Sequence, residues 1–238
     1  MTSIAEERFQ TALDMYWARR EAQTAKQVAS GKVDAGTRGS VTGGAHLHAL
    51  TELIGEIFIE NGFASHSIRH KGMELPGFYR PTKNWDLVVV EAGVLVAAIE
   101  LKSQVGSVGN NFNNRTEEAI GNAVDLRRAY KAGLLGRLPP WLGYVFVLEE
   151  SPQSASPVRL ASTPFKTDEA FLRTSYRDRY QILCRRLVND GLYDAACFIT
   201  SSRVPGTRMS QPDPTLSFAA LQIAIAQRAA IVRKLLGG

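Results

Sequence analysis

Apolar residues recur at helical spacing in five stretches of the chain. The clearest stretch runs from His46 to Asn61, where five apolar residues share one face: Leu50, Leu53, Ile54, Ile57 and Phe58. The same spacing predicts four further helices: Ser3–Ala29, Arg115–Ala132, Asp168–Asn189 and Thr215–Leu236. Asn114 is the expected N-cap of the helix that begins at Arg115.

Runs of β-branched and other apolar residues, separated by turn residues, predict the strands. The expected strands are Ser65–His70, Trp85–Val90, Val94–Lys102, Leu142–Leu148 and Ala195–Thr200. The order is helix, three strands, helix and strand, which predicts a mixed α/β fold with added N- and C-terminal helices. We expect one domain over residues 1–238, with its core at about 46–150 and helical additions at 1–30 and 165–238.

The composition excludes several classes of protein. Hydrophobic residues make up 45% and charged residues 21% of the 238 positions, as in ordinary soluble globular proteins. No apolar run approaches the roughly 20 residues that span a bilayer, and the N-terminal MTSIAEERFQ lacks the apolar stretch of a secretory signal. A cytoplasmic protein is therefore expected. Cys184 and Cys197 are isolated within apolar patterns, so neither a zinc site nor a disulfide framework is indicated.

The two predicted strands around Gly93 carry the candidate chemistry. If they form an antiparallel hairpin centred on Gly93, Asp86 lies directly opposite Glu100, because each is seven residues from the centre. Strand alternation then points Lys102 to the same face of the sheet as Glu100. The pattern therefore predicts two carboxylates and one amine that converge from neighbouring strands.

Two opposed carboxylates repel each other unless a cation lies between them. Hard oxygen ligands suit Mg²⁺, for which Mn²⁺ can substitute, and the backbone carbonyl of Leu101 is a further candidate ligand. Lys102 would stand beside the metal, where it could orient or help to deprotonate a water. With a metal that activates this water, the arrangement fits in-line hydrolysis of a phosphodiester.

An Asp…Glu-x-Lys pattern is common, and its plainer interpretation is a surface hairpin with an exposed ion pair. The residues before Glu100 (VLVAAI) are apolar on both faces, which favours a central, buried strand and argues against that interpretation. Glu56, on the predicted His46–Asn61 helix, is a tentative further metal ligand, although a solvated surface position is the alternative. The four histidines show no zinc spacing.

Three stretches together resemble the XhoI family of type II restriction endonucleases. They are LPGFYRPTKNWDLVVV (Leu75–Val90), AAIELKSQVGSVGNNFNNRTEEAIGNAVDL (Ala97–Leu126) and LGYVFVLEE (Leu142–Glu150). The resemblance covers about half of the chain, and the family's Asp86, Glu100 and Lys102 are all present, with Trp85 in place of the usual proline before the aspartate.

The resemblance implies a PD-(D/E)XK fold and Mg²⁺-dependent cleavage of double-stranded DNA by a homodimer in a prokaryotic cell. It also implies a palindromic target, typically CTCGAG, cut to leave 5′ overhangs and protected in the host by a companion methyltransferase. A palindrome suits a two-fold dimer, because matching half-sites meet matching surfaces.

Candidate DNA contacts lie in segments that we expect to be loops near the catalytic strands. The net charge of +5 is a weak indication of a polyanionic partner. Arg80 and Lys83 come just before Asp86 in the sequence and are candidate phosphate contacts. Such contacts position the protein on DNA without specifying its sequence. The candidates after the catalytic strand are Gln104, Asn110, Asn111, Asn113, Asn114 and Arg115, and those of a later loop are Arg203 and Arg208.

A Gly-rich segment, Gly31–Gly44, carries Lys32 and Arg38 and is either a DNA-facing arm or a plain surface connector.

Three alternatives to a restriction enzyme remain open on the sequence. They are a structure-specific or repair nuclease of the same fold, a DNA-binding module without catalysis, and an unrelated small-molecule enzyme. No Gly-rich phosphate loop is present to support nucleotide binding.

Overall fold

The computed structural model describes residues 4–29, 45–70, 73–204 and 206–237. Its main helices are α1 (Ile4–Ala29), α2 (His48–Glu60), α3 (Val108–Lys131), α4 (Tyr176–Asn189) and α5 (Phe218–Leu236). Its strands are β1 (Ile68–His70), β2 (Glu74–Pro76), β3 (Thr82–Asn84), β4 (Leu87–Glu91), β5 (Val94–Gln104), β6 (Trp141–Glu149) and β7 (Ala195–Ser201). Within the described ranges, no helix is both long and apolar enough to cross a membrane.

Five strands form one mixed sheet in the order β1-β4-β5-β6-β7. Strands β1, β4 and β5 pair in antiparallel fashion, whereas β5, β6 and β7 are parallel. The mixed α/β architecture predicted from the sequence is thus confirmed. The separate hairpin of β2 and β3 was not predicted, because each of its strands has only three residues and little apolar character.

The sheet is buried on both faces, and each face has its own helices. One face packs on α1, α2 and α5, in a cluster that contains Leu13, Ile54 and Ile225. The other face packs on α3 and α4, in a cluster that contains Ala123 and Leu183. Alternate residues of β5 and β6 belong to the two clusters, which explains why both strands are continuous apolar runs.

The β4–β5 hairpin contains a bulge that sets its register. The turn is Ala92-Gly93, both with positive φ (48° and 74°), so the ladder begins with Glu91 opposite Val94. Val90 pairs with Leu95 but Val89 pairs with Ala97, so that Val96 is the extra residue. The carbonyl oxygen of Val96 accepts a hydrogen bond from Nε of Arg228 on α5, at 2.9 Å. The sequence predicted a hairpin centred on Gly93, whereas the turn is centred between Ala92 and Gly93. Beyond the bulge, the strands pair in the predicted register.

Helix α3 begins seven residues earlier than expected. It starts at Val108, directly after Gly106 and Ser107 with φ of 61° and 43°, so Asn114 lies inside the helix and does not cap it. Apolar packing of Val108 and Phe112 outweighs the weak helix propensity of the asparagines. The segment expected to be a DNA-reading loop is therefore mostly helix.

The remaining differences are at element ends. Helix α4 begins at Tyr176 after a capping box between Ser175 and Asp178, and Asp168 instead caps a separate one-turn 3₁₀ helix. The Ser65–His70 segment is a 3₁₀ turn followed by β1. The glycine-rich segment 31–44 lies outside the described residues.

Candidate active site

Asp86 and Glu100 lie on the same face of the sheet, as the sequence predicts. The ladder pairs Val88 with Ala98 and Leu87 with Ile99, and its next step places Asp86 opposite Glu100. Val88 and Ala98 both belong to the cluster under α3 and α4, so alternation directs the two carboxylates to that face. A hydrogen bond of 2.8 Å from the Leu101 amide to Oδ2 of Asp86 fixes the aspartate against β5.

Two ammonium groups bind the buried carboxylate of Glu100. Its side chain is 3% exposed, and its Oε1 forms an ion pair with Nζ of Lys102, two residues along the same strand. Its Oε2 lies 2.6 Å from Nζ of Lys83, which comes from β3 of the small hairpin. The site thus contains two carboxylates and two lysines. The sequence predicted Lys83 as a phosphate contact and not as a partner of Glu100, because the β2–β3 hairpin that brings it here was not recognised.

The charges of the site shift the pKa values of its members in opposite directions. Burial and the neighbouring Glu100 raise the pKa of Asp86 above its ordinary value. Burial by itself would raise the pKa of Glu100 as well, but Lys102 and Lys83 outweigh it and hold that pKa below its ordinary value. Burial alone would lower the pKa of Lys102, yet Glu100 and Asp86 raise it. Lys102 is therefore an ammonium group at neutral pH.

The donor set fits a small hard cation. Among the described residues, no group of three or more histidine, cysteine, aspartate or glutamate side chains could hold a metal. Asp86 and Glu100 are a pair of carboxylates, which suits an ion such as Mg²⁺ that keeps several of its waters. The Leu101 carbonyl is directed to the same side as its amide, which donates to Asp86. The two ammonium groups on Glu100 show that the pocket already attracts positive charge.

Glu56 does not belong to this site, and its prediction as a metal ligand is wrong. It lies on α2, whose apolar side packs on the opposite face of the sheet. Its side chain is 58% exposed and its Oε2 is 2.8 Å from the guanidinium of Arg8 on α1. The position is the solvated one that the sequence had left as the alternative.

The predicted phosphate contact Arg80 is engaged within the fold. It lies in the tip of the β2–β3 hairpin, where its Nε donates to Oδ2 of Asp125 at 2.7 Å and its Nη2 donates to Oδ1 of Asn122 at 2.9 Å. Asp125 also accepts hydrogen bonds from the amides of Phe78 and Tyr79, each at 2.8 Å. These contacts fasten the hairpin tip to α3.

The residues after the catalytic strand differ in how much they reach solvent. Gln104 is buried, at 5% exposure, and its amide group donates to the Gly106 carbonyl at 2.7 Å. Asn111 donates to the Ser107 carbonyl, and Nη1 of Arg115 donates to Oε2 of Glu118 at 2.7 Å. The predicted contacts that lie exposed on α3 are Asn110, Asn113 and Asn114.

Glu149 connects the two segments proposed to contact DNA. Its Oε2 accepts a hydrogen bond from the Gly106 amide at 2.8 Å, in the turn between β5 and α3. Its Oε1 lies 2.5 Å from Nε of Arg203, in the segment after β7. Arg203 and Arg208 are both exposed. Because one carboxylate holds both segments, they lie together beyond the carboxyl ends of β5 and β6.

Comparison with known proteins supports one family. A family model described as restriction endonuclease XhoI matches residues 26–211. The type II restriction enzyme BstVI of Geobacillus stearothermophilus is 37% identical over 194 residues, which cover 78% of this chain and 86% of that protein. XhoI of Xanthomonas vasicola is 45% identical over 161 residues, which cover 66% of this chain and 65% of that protein.

AbrI of Azospirillum brasilense is 46% identical over 143 residues, which cover 58% of this chain and 64% of that protein. No solved structure shows significant similarity to the chain. The family match includes the hairpin, all four charged residues of the site and helix α3. The chain therefore belongs to the XhoI family of restriction endonucleases.

Proposed function

We propose that this protein is a type II restriction endonuclease that hydrolyses phosphodiester bonds of double-stranded DNA with Asp86, Glu100 and Lys102. The observation that carries the proposal is the convergence of these three side chains on one face of the β4–β5 hairpin. The relatives are type II restriction enzymes by name, which supports site-specific cleavage of DNA. The order α2, β1, β4, β5, α3, β6 agrees with a PD-(D/E)XK core.

The proposed cofactor is Mg²⁺, with Mn²⁺ as a substitute, held by Asp86, Glu100 and the Leu101 carbonyl. When bound, the metal supplies positive charge that stabilises the phosphate in the transition state and makes a water a better nucleophile. Asp86 is well placed for this role, because the Leu101 amide holds its carboxylate opposite Glu100. Burial and the neighbouring Glu100 raise its pKa, and a bound cation would offset both effects. Glu100 is ionised at neutral pH and supplies the second carboxylate.

Lys102 acts as a hydrogen-bond donor and a positive charge beside the reacting phosphate. Its raised pKa keeps it protonated, so orienting the attacking water and stabilising charge on the phosphate oxygens are the roles that fit. Its side chain is 25% exposed, whereas Glu100 is 3% exposed, so the amine is the more accessible of the two to a DNA phosphate.

The proposed target is palindromic, CTCGAG in the family, cut to 5′ overhangs by a homodimer and shared with a companion methyltransferase. Two-fold symmetry in the protein suits two-fold symmetry in the site. For base contacts, the exposed amides of Asn110, Asn113 and Asn114 on α3 are better placed than the internally bonded Gln104, Asn111 and Arg115. Arg203 and Arg208 are candidates for phosphate or guanine contacts.

The test uses a plasmid with one CTCGAG site and a matched plasmid with that site altered. With Mg²⁺ we expect one linear product from the first plasmid, no cleavage of the second, and no cleavage of either in EDTA. Sequencing the product ends gives the cut positions. Asp86→Ala and Lys102→Ala are expected to reduce cleavage at least about 100-fold while retaining the folded circular dichroism spectrum and duplex binding.

The other possible outcomes of this digestion would each support a different function. A smear, or a preference for branched substrates, would indicate a structure-specific or repair nuclease. Binding of duplex without cleavage in any divalent metal would indicate a non-catalytic module. Loss of folding in both variants would show that the two residues are structural.

A further inference from the structure

The ammonium group of Lys83 binds one of the two carboxylate oxygens of Glu100 to which a metal would bind. Its Nζ is 2.6 Å from Oε2 of Glu100 and 2.9 Å from the carbonyl of Asn84, and it lies 4.4 Å from the ring centre of Trp85. Lys102 holds the other carboxylate oxygen. Both oxygens of Glu100 therefore have a cationic partner in the protein without DNA.

The formal charges of the site favour an exchange of partners when DNA binds. Two carboxylates and two ammonium groups sum to zero, so a divalent cation entering alone would leave two uncompensated positive charges. A DNA phosphate adds negative charge at the same place. An ammonium group that leaves Glu100 for the phosphate frees a carboxylate oxygen for the cation and keeps its own charge paired.

Lys83 is better suited to this movement than Lys102. Its side chain is less exposed than that of Lys102, at 13% against 25%, but its backbone lies outside the central sheet, in the two-stranded sheet of β2 and β3, whose tip Asp125 holds. The backbone can stay in place while the four-carbon side chain rotates. Lys102, in contrast, belongs to the central strand β5 and lies on the same face as Glu100.

We propose that Lys83 couples metal binding to DNA binding. In the free protein its ammonium group holds Oε2 of Glu100 and keeps the affinity for divalent metal low. In the complex the ammonium group binds a DNA phosphate, and the freed carboxylate binds the metal. The inference rests on the proposed metal site at Asp86 and Glu100. Because such coupling is reciprocal, metal also tightens DNA binding by the same factor.

The experiment measures Mn²⁺ binding to the full-length protein without DNA, by isothermal titration calorimetry and by the electron paramagnetic resonance signal of free Mn²⁺. Lys83→Met removes the competing charge and keeps a side chain of similar length. A hydrogen bond to a charged group contributes about 1.5–3 kcal/mol, so we expect Mn²⁺ to bind about 10-fold more tightly or better. Lys131→Met is the matched control, because it makes the same change at an exposed lysine in the last turn of α3.

A second measurement tests the coupling directly. The Kd of a fluorescent CTCGAG duplex is compared with and without Ca²⁺, and a gel confirms that the duplex stays intact. The metal should tighten DNA binding several-fold more in the wild type than in Lys83→Met. Lys83→Arg keeps the charge and is expected to retain wild-type Mn²⁺ affinity, which separates the charge from packing against Trp85.

Two results would overturn the coupling: unchanged or weaker Mn²⁺ binding in Lys83→Met, or the same gain in Lys131→Met. The proposed metal site has its own test. Glu100→Gln should abolish Mn²⁺ binding in the wild-type and in the Lys83→Met background. Retained binding in Glu100→Gln would contradict the metal site itself, whatever Lys83 does.

Discussion

Asp125→Ala tests whether the anchor of the β2–β3 hairpin supports the active site. Asp125 is 4% exposed and accepts hydrogen bonds from the amides of Phe78 and Tyr79 and from the guanidinium of Arg80. Bonds to a charged acceptor contribute about 1.5–3 kcal/mol each, so three would sum to about 4.5–9 kcal/mol. The hairpin tip can instead leave α3 and expose its donors to water, which limits the loss. We expect a loss of about 2–4 kcal/mol.

The assay is urea unfolding followed by tryptophan fluorescence and circular dichroism, together with hydrogen exchange of the Phe78 and Tyr79 amides. Faster exchange at these amides with little change in the sheet would indicate undocking of the hairpin. Asp125→Asn keeps the shape and an acceptor oxygen, so it should lose less stability. Asp168→Ala is the control, because this exposed aspartate also accepts from a backbone amide and an arginine.

The same contact predicts a dependence of stability on pH. Burial alone would raise the pKa of Asp125, but the hydrogen bonds from Arg80, Tyr79 and Phe78 outweigh it and hold the pKa below its ordinary value. A carboxylate with a depressed pKa stabilises the fold above its unfolded pKa of about 3.9, and that stabilisation is lost as the pH falls through the folded value. Wild type should therefore lose stability below about pH 4 more than Asp125→Asn does. Equal stability of Asp125→Ala and wild type at pH 7 would refute the anchor.

Two further predictions concern the core under α3 and α4. Phe146→Ala removes a fully buried ring that stacks on Tyr180 at 4.3 Å, and it should cost about 3–5 kcal/mol in urea unfolding; a loss below about 1 kcal/mol would contradict the packing. Burial raises the pKa of the Cys184 and Cys197 thiols, so neither should react with a thiol reagent such as DTNB until the protein unfolds. Rapid modification of the native protein would show that the thiols are accessible.

The sequence predicted the catalytic strands because their pattern is local. Alternation along β5 places Glu100 and Lys102 on one face, and a hairpin centred on Gly93 predicts Asp86 opposite Glu100. This pairing is found in the structure because the bulge at Val96 offsets the half-residue error in the predicted centre. The start of α3 was missed for the opposite reason: the asparagines favour a loop or cap locally, and only the packing of Val108 and Phe112 against distant residues makes them helical.

The partners of the site residues could not be predicted in the same way. Lys83 lies 17 residues from Glu100 and reaches it through a hairpin with three-residue strands. Arg80 carried a plausible signal for phosphate, but its partner Asp125 is 45 residues away on another element. A solvated position for Glu56 was one of the two sequence interpretations, but its contact with Arg8, 48 residues distant, was not predicted. Such contacts join residues far apart in the sequence, and the spacing of residues along the chain does not predict them.

The bulge at Val96 sets the strand register that places both carboxylates of the site on one face of the sheet. If Val96 were paired in an unbroken ladder from the Ala92-Gly93 turn, Asp86 would lie opposite Ile99, and the two carboxylates would point to opposite faces of the sheet. A shift of the β4–β5 register by one residue between this turn and the site would therefore separate the two carboxylates. Arg228, on a helix beyond the segment shared with the family model, holds the residue that sets this register.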